Sequence, residues 1–177
     1  NENMIPSHRG EPHDNRAGEY LRDLIYGAID GTVTTFAVVA GVTGAALPPA
    51  IVLILGFANL FADGFSMAIS NFLSTQAEKE YIARERAREN WEVENMPEAE
   101  RKEVRDILIG KGFAPDTLDA AVTAITSNKT HWVDMMMSDE LGLGNIKTDP
   151  KKHAFATFVA FVCIGIIPLL AYILSYF

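Results

Sequence analysis

Four residues inside apolar sequence pose the chemical question. Asp30 stands in the run YGAIDGTVTTFAVVAGVTGA (26–45), and Asn59, Asp63 and Met67 follow at i, i+4 and i+8 within AIVLILGFANLFADGFSMAIS (50–70). A carboxylate in hydrocarbon costs on the order of 2.5–3.5 kcal/mol on insertion scales, so such residues usually serve an ion or proton path. The i, i+4, i+8 spacing puts Asn59, Asp63 and Met67 on one helix face. A carboxylate, an amide oxygen and a thioether together suit a borderline first-row divalent metal better than calcium or magnesium. Against this stands a plain structural reading, in which Met67 packs and Asp63 hydrogen-bonds a neighbouring helix. Asp30 lies between Gly27 and Gly31, whose spacing permits close helix approach, so Asp30 also reads as a polar helix contact.

A second group of ionisable residues lies in polar sequence. Glu89 with Glu92 and Glu100 with Glu103 pair at i, i+3, and Glu140 follows Met136 and Met137 by about one turn. Like charges at this spacing mildly destabilise a helix and ask for a counter-charge. Interleaved Arg and Lys can supply it, so charge alone favours a solvated face. The run Met135-Met136-Met137 beside carboxylates adds soft ligands, although Met is also ordinary core filler. His8, His13, His131 and His153 show no metal-motif spacing and read as ordinary surface groups. No phosphate-cradling glycine loop, nucleophile motif or HExxH is present, which speaks against an enzyme. Basic residues are interleaved with acids, and no nucleic-acid surface is expected.

The elements that must position these residues follow from segregated composition. The chain has 177 residues, is 49% hydrophobic and carries a net charge of −8, yet between Leu24 and Thr75 the only charged residues are Asp30 and Asp63, and 154–177 has none. A span needs roughly 20 mostly apolar residues. Leu47-Pro48-Pro49 divides the first block into helices at about 24–46 and 49–75, and a third span starts at 154. Three Lys or Arg lie in the tail 1–23 and the other twelve between 79 and 152. The positive-inside rule then makes both polar blocks cytoplasmic. The first span follows a polar tail and is no cleavable signal peptide. Cys163 is the single cysteine, which excludes an intrachain disulfide, and the sequon at Asn128 is taken as chance.

Between the spans the pattern is helical throughout. The second span continues without Gly or Pro beyond Gly64 to about Asn95, and further helices are expected at about 97–110, 116–127 and 130–141. The expected organisation is all-α: a tail (1–23), a transmembrane hairpin (24–75), a cytoplasmic helical metal-binding domain (76–153) and a third transmembrane helix (154–177).

With these residues in place the sequence resembles the vacuolar iron transporter family. The resemblance rests on LRDLIYGAIDGTVTTFAVVAGVTGA, GFANLFADGFSMAISNFLSTQAEKEY, MPEAERKEVRDILIGKGF and HWVDMMMSDELGLG, which together cover most of 20–145. It implies a homodimeric integral membrane protein that carries ferrous iron or manganese out of the cytosol by proton antiport, along a path between the two copies. Zinc is a further cargo or regulatory ligand that such a set accepts. By resemblance, Asp30 and Met67 are the intramembrane metal-path residues, and Glu89, Glu92, Glu100, Glu103, Met136, Met137 and Glu140 bind metal in the soluble domain. Eukaryotic members carry a glutamate where this chain has Asn59, so Asp63, one turn later on the same face, is expected to take over as proton-coupled carboxylate. The family has five membrane helices and this chain shows three, so the sequence is expected to be cut short. A prokaryotic plasma membrane is the expected location. The alternatives are a membrane-anchored metal-binding or sensing module that transports nothing and, less favoured, a ferritin-like oxidase, for which the Glu-x-x-His pair is missing.

Overall fold

The structure, a computed structural model, describes residues 16–144 and 149–175. The tail expected at 1–23 is therefore described only from Arg16 on, and His8 and His13 lie outside the described residues. All regular structure among the described residues is helical: α1 (Arg16–Gly44), α2 (Pro49–Asn95), α3 (Pro97–Gly110), α4 (Pro115–Thr126), α5 (Lys129–Met135), α6 (Pro150–Gly165) and α7 (Leu170–Leu174). A π-turn, Met136–Glu140, follows α5, and a 3-10 turn, Ile167–Leu169, joins α6 to α7. Among the described residues, three helical stretches are long and apolar enough to cross a membrane: Tyr20–Gly44, the apolar part of α2, and Pro150–Leu174.

The chain divides into two compact units, residues 1–72 with 150–177, and residues 73–149. In the first, α1 and α6 approach so closely that a Cβ on Gly27 would lie 2.5 Å from the Thr157 carbonyl oxygen, and one on Gly31 would lie 2.4 Å from that of Phe161. Only glycine fits at such a backbone contact, the arrangement by which membrane helices gain packing where lipid supplies no hydrophobic drive. Val52, Gly56, Leu60, Gly64 and Ala68 are the buried row of α2, at strict i+4 spacing, and Leu60 joins Val42, Phe161 and Leu169 in the core. The α1–α2 turn places Ala46 at φ 54°, and Pro49 opens the next helix.

The second unit closes around Val93, Val104, Leu108, Leu118, Val122, Trp132, Val133, Met136 and Met137. Pro97 and Pro115 sit in the first turns of α3 and α4, where a missing N–H costs nothing. The Asn128 side chain caps α5 by accepting from the N–H groups of Thr130 (2.9 Å) and His131 (3.2 Å). Gly112 (φ 87°) and Gly142 (φ 65°) supply left-handed positions after α3 and after the π-turn.

Candidate metal-handling site

In the second unit the expected carboxylates come from three elements: Glu89 and Glu92 from α2, Glu100 and Glu103 from α3, and Glu140 from the π-turn. Glu89 and Glu100 are 1% and 4% exposed, a depth carboxylates rarely reach without a partner. Each nonetheless has one buried oxygen, Oε2, with no hydrogen-bond donor. Burial pushes the Glu89 carboxyl up to about 7, with Glu140 and Glu92 adding to the rise. Glu100 is likewise pushed up to about 7 by burial and then by Glu103 and Glu89. Glu140 is exposed, yet its carboxyl is also raised, by partial desolvation against the neighbouring elements and then by Glu103 and Glu92. Glu89, Glu100 and Glu140 therefore all lie in the field of Glu92 and Glu103.

Arg88 lies over the cluster. Its guanidinium is 3.1 Å from Glu85 Oε2, 3.6 Å from Glu92 Oε2 and 3.8 Å from Glu89 Oε1. These neighbours hold the guanidinium above its ordinary value, Glu85 most and Glu92 next. Sequence reasoning missed both Glu85 and Arg88, although Arg88 stands at i+3 from Glu85 and i−4 from Glu92.

The π-turn was not anticipated either. It is closed by the Leu141 N–H donating to the Met136 carbonyl at 3.1 Å, an i to i−5 bond that inserts an extra residue into the turn. Such bulges occur frequently at functional positions. Met136 and Met137 are 0% and 3% exposed and pack in the core beside Trp132 and Val133, so both thioethers have a packing role in this unit. Among the described residues, no three carboxylate, imidazole or thiol groups already stand in metal-holding geometry.

In the first unit, Gly27 and Gly31 face α6 while Asp30 lies exposed on another side of α1. The reading of Asp30 as a polar contact in the glycine interface is thereby corrected: the glycines make the contact and the carboxylate points elsewhere. Asn59 is half-buried and donates from Nδ2 to Thr34 Oγ1 at 3.2 Å, and Thr34 Oγ1 donates to the Asp30 carbonyl at 2.8 Å. Asn59 is thus tied to the turn that follows Asp30. Asp63 is exposed and, with Asn59, Ala37 and Leu55, lines an open groove of about 530 Å³ between α1 and α2. Met67, half-buried, leans on the cluster around Leu60 and Phe161.

A further polar group in this unit was read differently from sequence. His153 is 8% exposed, so it is no surface group, and its Nδ1 pairs with Asp23 Oδ2. Asn71 Nδ2 donates to Asp23 Oδ1 (2.9 Å) and Thr157 Oγ1 (2.6 Å), tying α1, α2 and α6 together. The signal was available in principle, since Asp23 precedes Gly27 by four residues and so continues the row that faces α6.

With this geometry in view, comparison with known proteins decides the family. The VIT family profile matches residues 21–176. The chain belongs to the VIT family. Similar proteins include vacuolar iron transporters of Toxoplasma gondii (39% identical, covering 92% of this chain and 55% of that protein) and Plasmodium falciparum (39%, 93% and 61%). Vacuolar iron transporter 1 of Arabidopsis thaliana is 41% identical, covering 94% of this VIT-family chain and 67% of the plant protein. The chain thus spans little more than half the length of the first of these relatives. All three are named for the vacuole, which lends no support to a prokaryotic plasma membrane.

Proposed function

We propose that this chain is the metal-collecting and path-forming part of a transporter that moves ferrous iron out of the cytosol, with manganese or zinc as further cargo. The observation that carries the reading is the set of five carboxylates from three elements, two of them buried with an unpartnered oxygen and poised near neutral pH. Oxygen ligands beside thioethers suit a borderline divalent ion. The family relatives are named as iron transporters, in agreement with that donor set.

Asp30 and Asp63 supply the path in this reading. Both lie exposed on the outside of the first unit, where contact with lipid would cost on the order of 2.5–3.5 kcal/mol each. A second copy facing these carboxylates would remove that cost and enclose an ion route, which is the basis for proposing a homodimer. A carboxylate holds a proton or a metal but not both at full affinity, so proton entry on one side drives metal release there. Asp63 is the proposed proton-coupled group, reached through the groove it shares with Asn59.

The test is metal uptake into proteoliposomes under an imposed pH gradient, comparing the chain with Asp30→Ala, Met67→Ala and Asp63→Asn. Uptake of ferrous or manganous ion that Asp30→Ala and Met67→Ala abolish supports transport along α1 and α2. Asp63→Asn is expected to uncouple uptake from the gradient, and intact coupling would remove Asp63 from that role. Metal binding without uptake would favour the second reading, a membrane-anchored binding module, which the confinement of all five carboxylates to one unit also fits.

A further inference from the structure

Among the described residues, Arg88 is the guanidinium within 4 Å of two of the proposed metal-binding carboxylates, Glu89 and Glu92, and it is at the same time closest to a third carboxylate, Glu85, that has no place in the metal set. The three acids differ in depth: the side chains of Glu89, Glu92 and Glu85 are 2%, 28% and 18% exposed, while Arg88 is 54% exposed. Arg88 thus lies over the solvent side of the cluster. We propose that Arg88 is a built-in counter-cation that competes with the incoming divalent metal for Glu89 and Glu92, and that Glu85 is the site to which it withdraws when metal binds. The inference rests on the metal-collecting reading above.

The physical case runs through charge and reach. A divalent ion held by carboxylate oxygens sits about 2.0–2.2 Å from them. A guanidinium 3.6–3.8 Å from the same two carboxylates would then face a like charge at short range. Its side chain is long and mostly exposed, so it can swing, and Glu85, one turn before it on α2, already accepts it at 3.1 Å. Without metal, Arg88 offsets part of the repulsion among five acids. With metal it is redundant there. The device lowers affinity in a graded way, so that the cluster collects metal without trapping it, and it disfavours monovalent ions, which gain too little from the cluster to displace a fixed cation.

The experiment is a titration of the full chain in detergent with manganous ion alone, at pH 8 and low ionic strength, for the wild type, Arg88→Gln, Glu85→Gln and the double variant. Arg88→Gln is expected to bind about three- to tenfold more tightly, because a competitor is gone. Glu85→Gln is expected to bind more weakly, because Arg88 loses its alternative partner and stays on Glu89 and Glu92. In the double variant the Glu85 effect should vanish, since Glu85 acts only through Arg88. Arg88→Lys, which keeps the charge but loses the guanidinium fork that reaches three carboxylates, should fall between the wild type and Arg88→Gln and guards against a fold defect in Arg88→Gln. Weaker binding by Arg88→Gln would overturn the inference and make Arg88 a residue that holds the carboxylates in place. Additive effects of the two changes would overturn it as well, leaving only general electrostatics. If Glu100→Gln abolishes binding while Arg88→Gln changes nothing, the metal site stands and the counter-cation fails. If the wild type binds no manganous ion, the metal-collecting reading itself falls.

Discussion

The chemistry of the second unit turns on two side chains, Glu89 and Glu100, whose carboxyls are pushed up to about 7, foremost by burial. Metal needs the ionised form, so protons compete with it in the range where these groups titrate. Below pH 7 both are increasingly protonated, and binding of manganous ion at pH 6 is expected to be about 10- to 100-fold weaker than at pH 8. Glu100→Gln should lower affinity at pH 8 and flatten this dependence, because one of the two competing protons is removed. Calorimetric titration at several pH values checks both. A pH-independent affinity would mean that the buried carboxylates are not ligands. The sequence made these residues visible as pairs at i, i+3, but nothing in the spacing distinguished buried pairs from solvated ones. Glu103 and Glu92 are half-buried while Glu89 and Glu100 are buried, a difference set by the packing of α2, α3 and the π-turn together.

At the scale of elements, the close pairing of α1 with α6 depends on two glycines and one buried polar group. Adding a methyl at Gly31 would bring it to 2.4 Å from the Phe161 carbonyl, whereas Gly18, on the same helix, has nothing within 4 Å. Gly31→Ala is therefore expected to destabilise the first unit by about 1–3 kcal/mol, while Gly18→Ala is neutral or slightly stabilising. Thermal melts in detergent, scored by the fraction that stays monodisperse on size exclusion, compare the two. Asp23→Ala should be similarly damaging, at about 1–3 kcal/mol, because it removes the carboxylate that pairs with buried His153 and accepts from Asn71. The spans, the Pro-Pro turn and the unbroken run of α2 to Asn95 were all legible, because apolar length and helix breakers are local properties of sequence. The orientation of Asp30 was not. Which side of α1 meets α6 is decided by glycines three residues before and one after the aspartate, and only the partner helix shows which residues that row serves.

For the molecule as a whole, the raised carboxyls make stability and metal supply two sides of one linkage. In the unfolded chain a glutamate titrates near 4.3, and in the folded second unit Glu89 and Glu100 titrate near 7. Between those values the folded state binds more protons than the unfolded one, so the free energy of unfolding falls as pH rises. The stabilising contribution is complete below about pH 4.3 and is lost once pH has risen through 7. The loss is expected to be on the order of several kcal/mol for the second unit, because two carboxylates are buried and Arg88 offsets their charge only in part. In the proposed metal-collecting reading divalent metal reverses the sign: bound at pH 8 to the folded state alone, it is expected to restore stability in proportion to the logarithm of its concentration. Both tryptophans of the chain, Trp91 and Trp132, lie in this unit, so tryptophan fluorescence during thermal unfolding reports on it and not on the membrane helices. The metal-free chain should melt at a lower temperature at pH 8 than at pH 5.5, and manganous ion should raise the pH 8 transition while leaving the pH 5.5 transition nearly unchanged. A metal-free transition that rises with pH would refute the burial of unpaired carboxylates. An equal shift by metal at both pH values would place the bound ion away from Glu89 and Glu100.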